Sequence, residues 1–243
     1  MAVYKRYRKD DPISYALGIT LTFELLAFKA DYVTRVYVHS ELKEGETSAR
    51  LEKLCQEAGI EIVRTDKIFR ILSQKENCYV IGEFRKFQET LDVDASHLVL
   101  VNPSNAGNLG TIMRSALGFG LEQIAVIRPA VDAFDPKVVR ASMGAVFSTR
   151  FQYFDGFGQY QERYGDREYY PFMLQAKKSI YDFDPAGAFS LIFGNEATGL
   201  PEEFLRVGSP VIIPHSGRID SLNLPIAASI AMYEAFRKSG RRT

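Results

Sequence analysis

The stretch that decides the fold lies near the end of the chain and reads Ile213-Pro214-His215-Ser216-Gly217-Arg218-Ile219-Asp220-Ser221-Leu222-Asn223-Leu224-Pro225-Ile226-Ala227-Ala228. A short apolar strand stops at a proline, a polar loop follows, and helical spacing predicts a helix from about Leu224 to Lys238. Asn223 or Ser221 suits the helix N-cap, and Pro225 in the first turn costs the helix no hydrogen bond. The helix is apolar on nearly every side, so we expect it to be buried or to form an interface. A polar loop between a buried strand and a buried helix is a candidate ligand site.

Composition and charge limit the possible functions. The chain has 243 residues, enough for one large domain or two small ones, and its 46% hydrophobic content can form a substantial core. Lys plus Arg number 30 and Asp plus Glu number 30, so the formal net charge is zero. Net charge therefore does not indicate nucleic-acid binding, and any such binding must use local clusters of cations.

The cysteines, histidines and apolar runs of the chain do not indicate a metal site, a signal peptide or a membrane span. Cys55 and Cys78 are far apart and form no metal or redox pattern, which is typical of a reducing cytoplasm. Three histidines, at 39, 97 and 215, are too scattered for a metal site. The basic start lacks the apolar core of a signal peptide, and no run approaches the ~20 apolar residues of a membrane span. We therefore expect a cytoplasmic protein without membrane association and without a metal.

The first segment of the chain is a candidate RNA contact. Residues 4–9, Tyr-Lys-Arg-Tyr-Arg-Lys, interleave four cations with two aromatic rings. Such a patch can hold RNA phosphates and stack on a base, which makes Lys5, Arg6, Arg8 and Lys9 candidate RNA-binding residues. A solvated terminus is the alternative interpretation.

Residues 1–92 are predicted to form a small α/β unit with its own apolar faces. Helical spacing predicts one helix over 12–31, and β-branched residues predict a strand over 33–39. Further helices are predicted at 48–58 and 66–72, and further strands at 61–64 and 78–83. The polar, unpatterned residues 86–96 predict a domain boundary.

Residues 97–243 are predicted to form a second domain in which strands and helices alternate. The predicted strands are 98–101, 123–128, 151–154, 170–174, 189–194 and 211–213, and the predicted helices are 109–118, 136–147, 157–164, a short one from 201, and 224–238. Such alternation predicts a mostly parallel sheet with ligands at the carboxyl ends of its strands.

Three loops at such strand ends are rich in polar residues. The first loop (102–108) precedes a helix on which Arg114 falls opposite the apolar stripe, and an exposed arginine on a capped helix is the alternative interpretation. The second loop (193–201) contains Glu196, a candidate functional carboxylate or an acid that favours a nearby helix N-terminus. The third loop (213–223) is the polar part of the opening stretch. No common nucleotide-phosphate or hydrolase motif is present.

Taken in order, the three loops resemble the three motifs of the SpoU (TrmH-type) ribose 2′-O-methyltransferases of the SPOUT superfamily. The first loop and its helix read Asn-Pro-Ser-Asn-Ala-Gly-Asn-Leu-Gly-Thr-Ile-Met-Arg, the second Phe-Gly-Asn-Glu-Ala-Thr-Gly-Leu, and the third Ile-Pro-His-Ser-Gly-Arg-Ile-Asp-Ser-Leu-Asn. The resemblance covers residues 97–243, and residues 1–92 look like the small RNA-binding domain that often precedes it. Ala197 and Pro225 stand where the family more often has glycine and serine.

The resemblance implies an α/β fold whose parallel sheet is tied into a trefoil knot, bound S-adenosylmethionine and a homodimer. It carries catalytic roles to Asn108, Arg114, Glu196, Ser221 and Asn223. It carries cofactor-binding roles to Gly194, Ile213 and Leu222, with Phe193, Asn195, His215 and Gly217 beside them in the same loops. Arg140, in an Arg-Ala-Ser-Met-Gly segment, is a further candidate RNA contact.

The implied reaction is methyl transfer to a ribose 2′-hydroxyl, for which the enzyme must align the groups and manage one proton. Because a guanidinium does not readily lose a proton in proteins, we expect Arg114 to act by charge and position. The expected substrate is rRNA. The alternatives are a tRNA ribose 2′-O-methyltransferase and a non-catalytic RNA-binding ribosome-assembly factor.

Overall fold

The computed structural model describes residues 6–72, 77–165 and 167–239, in which strands and helices alternate along the chain. The elements are β1 (Ile13–Leu17), α1 (Ile19–Lys29), β2 (Val33–Val38), α2 (Glu46–Glu57), β3 (Ile62–Arg64), α3 (Lys67–Leu72), β4 (Val80–Arg85), β5 (His97–Val101), α4 (Ala106–Gly118), β6 (Gln123–Ile127), α5 (Pro136–Ala141), β7 (Arg150–Phe154), α6 (Phe157–Tyr164), β8 (Glu168–Pro171), β9 (Lys178–Ser179), β10 (Phe189–Phe193), β11 (Val211–Ile212) and α7 (Leu224–Lys238). Among the described residues, no helix is long and apolar enough to cross a membrane.

The first compact unit contains the described residues up to Phe87 together with Asp132–Ser148. Its four-stranded sheet has the order β1-β4-β2-β3, in which β4 is antiparallel to both of its neighbours and β2 is parallel to β3. Buried residues of α1, α2, β2 and β4 form one apolar cluster of this unit. The prediction of a small α/β unit is confirmed.

One predicted helix of this unit is wrong in its first part. Residues 13–17 form β1, which pairs with β4 from Ile13 opposite Arg85 to Leu17 opposite Ile81. Gly18, at a φ of 116°, then ends the strand before α1 begins. The sequence pattern over 12–31 fits a helix throughout, but pairing with β4 satisfies the backbone of β1 and decides its conformation.

The segment 132–148 also differs from the prediction. Asp135 caps α5 as expected, since its Oδ1 accepts a 2.8 Å hydrogen bond from the Lys137 N–H. The helix predicted to reach residue 147 ends at Ala141, because Met143 and Gly144 both have positive φ angles, and a 3-10 turn follows.

This segment belongs to the first unit, so the predicted division into 1–92 and 97–243 differs from the structure. Asp132 Oδ2 accepts hydrogen bonds of 2.6 Å from both the Tyr7 hydroxyl and Lys86 Nζ, and the Phe134 ring packs on Phe84 and Phe87. These contacts join residues distant in sequence, which a pattern along the chain does not reveal.

The second unit contains the described residues of 88–131 and 149–239 and is built on a parallel sheet. Its five strands have the order β7-β6-β5-β10-β8, and every neighbouring pair is parallel, as predicted. A small parallel pair, β9 with β11, lies beside it and continues through a bridge from Phe172 to Val211. Because β5, β10 and β8 are adjacent, the segments that follow them meet at one edge of the sheet. The knot remains a prediction.

Two helices of the second unit position the loops. α7 has the predicted bounds. α4 begins three residues before its predicted start, because Asn105 caps it by accepting a 3.0 Å hydrogen bond from the Asn108 N–H. Leu109, Ile112 and Met113 are buried and Arg114 is exposed, as the helical spacing predicted.

A buried polar group anchors the opposite end of β5. His97 is fully buried, its Nε2 lies 2.8 Å from the Asp92 carbonyl oxygen, and its Nδ1 lies 2.8 Å from the Tyr160 hydroxyl. A carbonyl only accepts hydrogen bonds, so Nε2 carries the proton and Nδ1 accepts from Tyr160. Burial, with a smaller contribution from the nearby Arg167 charge, lowers the pKa of His97 to about 4 despite the opposing effect of Asp92.

This pKa predicts a pH-dependent stability. The folded value lies below the ordinary value of about 6.5, so the unfolded chain binds the proton more tightly. The contribution of neutral His97 to the free energy of unfolding is complete above about pH 6.5. It is lost, by up to ~3 kcal/mol, as the pH falls toward 4. Urea unfolding between these pH values should show this loss in the wild type and a smaller loss in His97→Gln. His39→Gln, a change in the first unit, is the control. If the free energy of unfolding fell equally with pH in His97→Gln and in the wild type, the prediction would be contradicted.

Candidate functional site

A cavity of about 360 Å³ opens at the carboxyl edge of the parallel sheet. It is lined by the residues after β8, by the second loop and by the third loop. Its lining comprises Phe172, Met173, Leu174, Gln175, Phe193, Gly194, Asn195, Glu196, Ala197, Thr198, Gly199, Leu200, Ile212, Ile213, His215, Asp220, Ser221, Leu222, Leu224 and Ala227. The predicted ligand site therefore coincides with a cavity.

The second loop turns back on itself in a compact hairpin. Backbone hydrogen bonds join Asn195 and Gly199 in both directions, at 3.2 and 2.9 Å. A Cβ on Gly194 would lie 2.1 Å from the carbonyl carbon of Gly199, and Gly199 itself has a φ of +68°. Gly194 is thus required by the close approach of the loop's own backbone, and Gly199 by its left-handed conformation.

The Glu196 carboxylate joins the second loop to the first. Its Oε2 accepts hydrogen bonds from the Ser104 N–H at 3.1 Å and the Ser104 hydroxyl at 2.9 Å. Its Oε1 accepts from the Asn105 N–H at 3.1 Å and from Asn108 Nδ2 at 3.2 Å. Asn195 adds a parallel link, since its Nδ2 donates to the Asn102 carbonyl at 2.8 Å.

These hydrogen bonds determine the charge of Glu196. Partial burial acts to raise the pKa of the carboxyl, but hydrogen bonds from its own backbone, from Ser104 and from Asn108 outweigh burial and leave the pKa below its usual value. Glu196 is therefore an ionised acceptor with its lone pairs in use, at the N-terminus of α4 where negative charge is favourable. A carboxylate held in this way is better suited to keeping the first loop in place than to abstracting a proton.

Arg114 lies on α4 beyond this junction. Its side chain is exposed and has no hydrogen-bond, ion-pair or ring partner among the described residues. The next residue, Ser115, forms a 2.9 Å hydrogen bond with Ser229 of α7, so α4 is fixed against the helix that follows the third loop. Arg114 is a free cation on a rigid element.

The third loop carries its polar groups at the surface. Ser221 and Asn223 are exposed, and the Asn223 carbonyl accepts the first helical hydrogen bond of α7 without a cap from its side chain. His215 Nδ1 accepts a 3.3 Å hydrogen bond from the Gly217 N–H, and Gly217 has a φ of +73°.

The structure brings most predicted site residues together. Those that line the cavity are Phe193, Gly194, Asn195, Glu196, Ile213, His215, Ser221 and Leu222. Asn108 contacts the cavity residue Glu196, whereas Arg114, Gly217 and Asn223 are not among the lining residues. The roles of all of them remain predictions.

The predicted RNA contacts fall elsewhere. Arg6, Arg8, Lys9 and Arg140 are exposed residues of the first unit, and Lys5 lies outside the described residues. Tyr7, which was expected to stack on a base, instead bonds Asp132 and lies under Lys86. No group of three or more His, Cys, Asp or Glu in the described ranges could hold a metal ion.

Sequence reasoning missed the cavity wall formed by residues 172–175. The Phe172 ring stacks on Phe193 with centroids 4.7 Å apart and an angle of 10° between the rings. Sequence reasoning also missed Ser104, whose side chain and backbone both bond Glu196. This wall follows from the position of β8 beside β10 in the sheet, and the order of strands in a sheet cannot be read from the sequence.

A glycine substitution tests the second loop. Gly194→Ala is expected to lower the free energy of unfolding by ~1–3 kcal/mol, because the new methyl group meets the Gly199 backbone. Gly158→Ala, in α6 where a Cβ meets nothing within 4 Å, is the matched control and should be neutral or stabilising. Equal unfolding midpoints in urea for the two variants would show that the hairpin is not closed in this way.

Comparison with known proteins places this site in a family. A family model described as the SpoU rRNA Methylase family matches residues 95–233. The 23S rRNA (uridine(2479)-2′-O)-methyltransferase of Streptomyces viridochromogenes is 34% identical over 149 residues, which cover 57% of this chain and 52% of that protein. The chain spans about half the length of several curated relatives that it matches.

Solved structures share the fold. The AdoMet-bound rRNA methyltransferase from Sinorhizobium meliloti is 25% identical with a TM-score of 0.79, and the match covers 93% of this chain and 87% of that one. A structure described by its 2-OH methylation of C/U34 on tRNA is 31% identical with a TM-score of 0.56, covering 62% of this chain and all of that one. The second and third loops meet at one cavity, Glu196 joins the first loop to it, and the family model matches more than half of the chain, so the chain belongs to the SpoU rRNA methylase family.

Proposed function

We propose that this protein transfers a methyl group from S-adenosylmethionine to a ribose 2′-hydroxyl of structured RNA, with rRNA as the substrate. The observation that carries the proposal is the cavity at which the second and third loops meet and to which Glu196 joins the first loop. Family membership and the ribose methyltransferase activity named for the Streptomyces relative support it.

The extent of the structural matches favours rRNA over tRNA. The Sinorhizobium rRNA methyltransferase matches 93% of this chain, so the match extends over both units. The tRNA-modifying structure is matched along its whole length by only 62% of this chain. A second compact unit in the same chain suits recognition of a large folded RNA.

The cavity fits the proposed cofactor. Its volume of about 360 Å³ lies in the range of small-molecule sites, and it combines apolar walls with a few polar groups. The backbones at Gly194, Ile213 and Leu222 would hold the adenosine, with Phe193, Asn195, His215 and Gly217 shaping the loops around it. When bound, S-adenosylmethionine supplies an activated methyl group on a positively charged sulfur.

Arg114 is proposed to bind and orient the RNA at the reacting ribose. During transfer the bond from sulfur to methyl breaks, a bond from the 2′-oxygen to methyl forms, and the hydroxyl proton leaves to solvent. The free guanidinium of Arg114 can hold the neighbouring phosphate with two hydrogen bonds and stabilise negative charge on the 2′-oxygen.

The remaining motif residues are proposed to position these groups. Glu196 fixes the first loop and Asn108 at the start of the helix that carries Arg114. Ser221 and Asn223, exposed at the end of the third loop, would orient the ribose or the arginine. Arg6, Arg8, Lys9 and Arg140 are proposed as additional RNA contacts of the first unit.

We also propose a homodimer formed through α7. Ile226, Ile230 and Tyr233 recur at helical spacing and are 53%, 36% and 52% exposed. Exposed apolar stripes of this kind mark interfaces, and a second copy of α7 is the expected partner. Cys55 and Cys78 are not joined by a disulfide, which supports the proposed cytoplasmic location.

Replacement of Arg114 tests the reaction. Arg114→Ala is expected to lower the single-turnover rate of methyl transfer to unmodified rRNA by at least ~10²-fold, because charge and alignment at the 2′-oxygen are lost. Arg163→Ala, an exposed arginine of α6, is the matched control. Near-normal methylation by Arg114→Ala with saturating RNA would refute this role.

A charge on α7 tests the dimer. Ile230→Glu is expected to shift the protein from dimer to folded monomer in light scattering at micromolar concentration, since a carboxylate cannot be buried unpaired. Phe28→Glu, at an exposed apolar residue of the first unit, should leave the dimer intact. A wild-type protein that is monomeric under these conditions would exclude the proposed assembly.

A further inference from the structure

Four exposed residues lie in or directly beside, along the chain, the two segments that line the cavity, and the family motifs account for none of them. We call this set, Leu174, Lys177, Arg218 and Ile219, the cavity rim. Leu174 and Ile219 are 49% and 50% exposed. Lys177 and Arg218 are exposed and have no hydrogen-bond, ion-pair or ring partner among the described residues.

Strand pairing relates the first half of the cavity rim, Leu174 and Lys177, to the cavity. Leu174 is itself a lining residue of the cavity. The chain then turns back into β9, where Lys178 pairs with Val211 of β11, and β11 leads directly to the lining residue Ile213. Lys177 therefore stands between the lining residue Leu174 and a strand pairing that leads back to the cavity lining.

The third loop supplies the other half. Arg218 and Ile219 directly precede Asp220, which lines the cavity together with Ser221 and Leu222. Gly217, in a left-handed conformation, turns the chain just before them. The two halves of the rim, distant in sequence, thus border one opening.

The chemistry of the rim indicates its partner. Two aliphatic side chains left in water favour a ligand with an apolar face, and two unpaired cations favour one with negative charge. The carboxylates nearest along the chain are those of Asp220 and Asp182, and within the described residues neither forms an ion pair with Arg218 or Lys177. A nucleotide with its base unstacked offers a flat apolar face and a phosphate together, whereas a paired base in a duplex hides its face.

We propose that the cavity rim holds the substrate RNA, with backbone phosphates on Arg218 and Lys177 and an unstacked base against Leu174 and Ile219. The enzyme then acts on a nucleotide in a loop or bulge, not within a continuous helix. This inference rests on the proposed function, because it assigns the RNA surface that serves the same cavity.

Salt-dependent binding tests the cations. Unmodified rRNA made by transcription in vitro is titrated with the full-length protein between about 50 and 200 mM salt. Arg218→Ala and Lys177→Ala should each weaken binding roughly 3- to 10-fold, and the double variant should reduce the slope of log affinity against log salt by about 1 to 2. Arg206→Ala, an exposed arginine outside the cavity lining, should change neither quantity.

Competition tests the apolar contacts. An unpaired oligonucleotide should compete with rRNA more strongly than a duplex of the same length, and Ile219→Ala should reduce this preference roughly 5-fold or more without changing the salt slope. Val93→Ala, at an aliphatic residue that is 59% exposed and precedes β5, is the matched control. Equal competition by the two oligonucleotides against the wild type would overturn the unstacked base.

Two further readouts separate the rim from the proposed function. Calorimetry with S-adenosylhomocysteine should give wild-type affinity for Lys177→Ala, Arg218→Ala and Ile219→Ala, none of which changes a lining residue, and light scattering should give the wild-type oligomeric state. If the wild type binds RNA through the rim but transfers no methyl group, the proposed function fails and the rim stands. If the wild type methylates rRNA and the double variant binds rRNA like Arg206→Ala, the rim is overturned, as it is if rim variants alter only the oligomeric state.

Discussion

The site depends on the Glu196 carboxylate and the hydrogen bonds that it accepts. Both oxygens receive two donors each from the first loop and the start of α4, at 2.9 to 3.2 Å. Charge-assisted hydrogen bonds of this kind are about twice as strong as neutral ones, and an unpaired partner in such a cluster would be costly. The carboxylate therefore fixes the spacing between two loops that lie about ninety residues apart in sequence, and through Asn108 it fixes the start of the helix that presents Arg114.

The parallel sheet makes this junction possible. β5 and β10 are neighbours, with Val99 opposite Ile192, so the first and second loops leave the sheet side by side. Gly194 then allows the second loop to close on its own backbone, which directs Glu196 toward α4. At the other end of β5, the fully buried His97 bonds the Tyr160 hydroxyl and the Asp92 carbonyl. One strand is thus anchored by a neutral polar group at its start and by an ionised one beyond its end.

The spacing of apolar residues along the chain predicted those helices and strands whose own apolar residues are the ones that become buried. α7, α6 and the strands of the parallel sheet appear within a few residues of their predicted bounds, since each has an apolar face that one neighbour covers. The segment that forms β1 was predicted as helix because its five apolar or small residues fit both the helical and the strand periodicity. Only the pairing with β4 shows that it is a strand. The segment 132–148 joins the first unit through Asp132 and Phe134, contacts that no local pattern contains.

For the site, the sequence by itself determined the residue types and the fact that they follow strands in a fixed order, because motif residues are read directly from the chain. That was enough to indicate Glu196, Arg114 and the third loop. Only the tertiary structure decided which groups meet. It brought Ser104 to Glu196 and stacked Phe172 on Phe193, and within the described part of the chain it gave Arg114, Lys177 and Arg218 no hydrogen-bond, ion-pair or ring partner. The physical reason is that strand order and loop closure depend on contacts between distant residues, whereas the sequence records only neighbours along the chain.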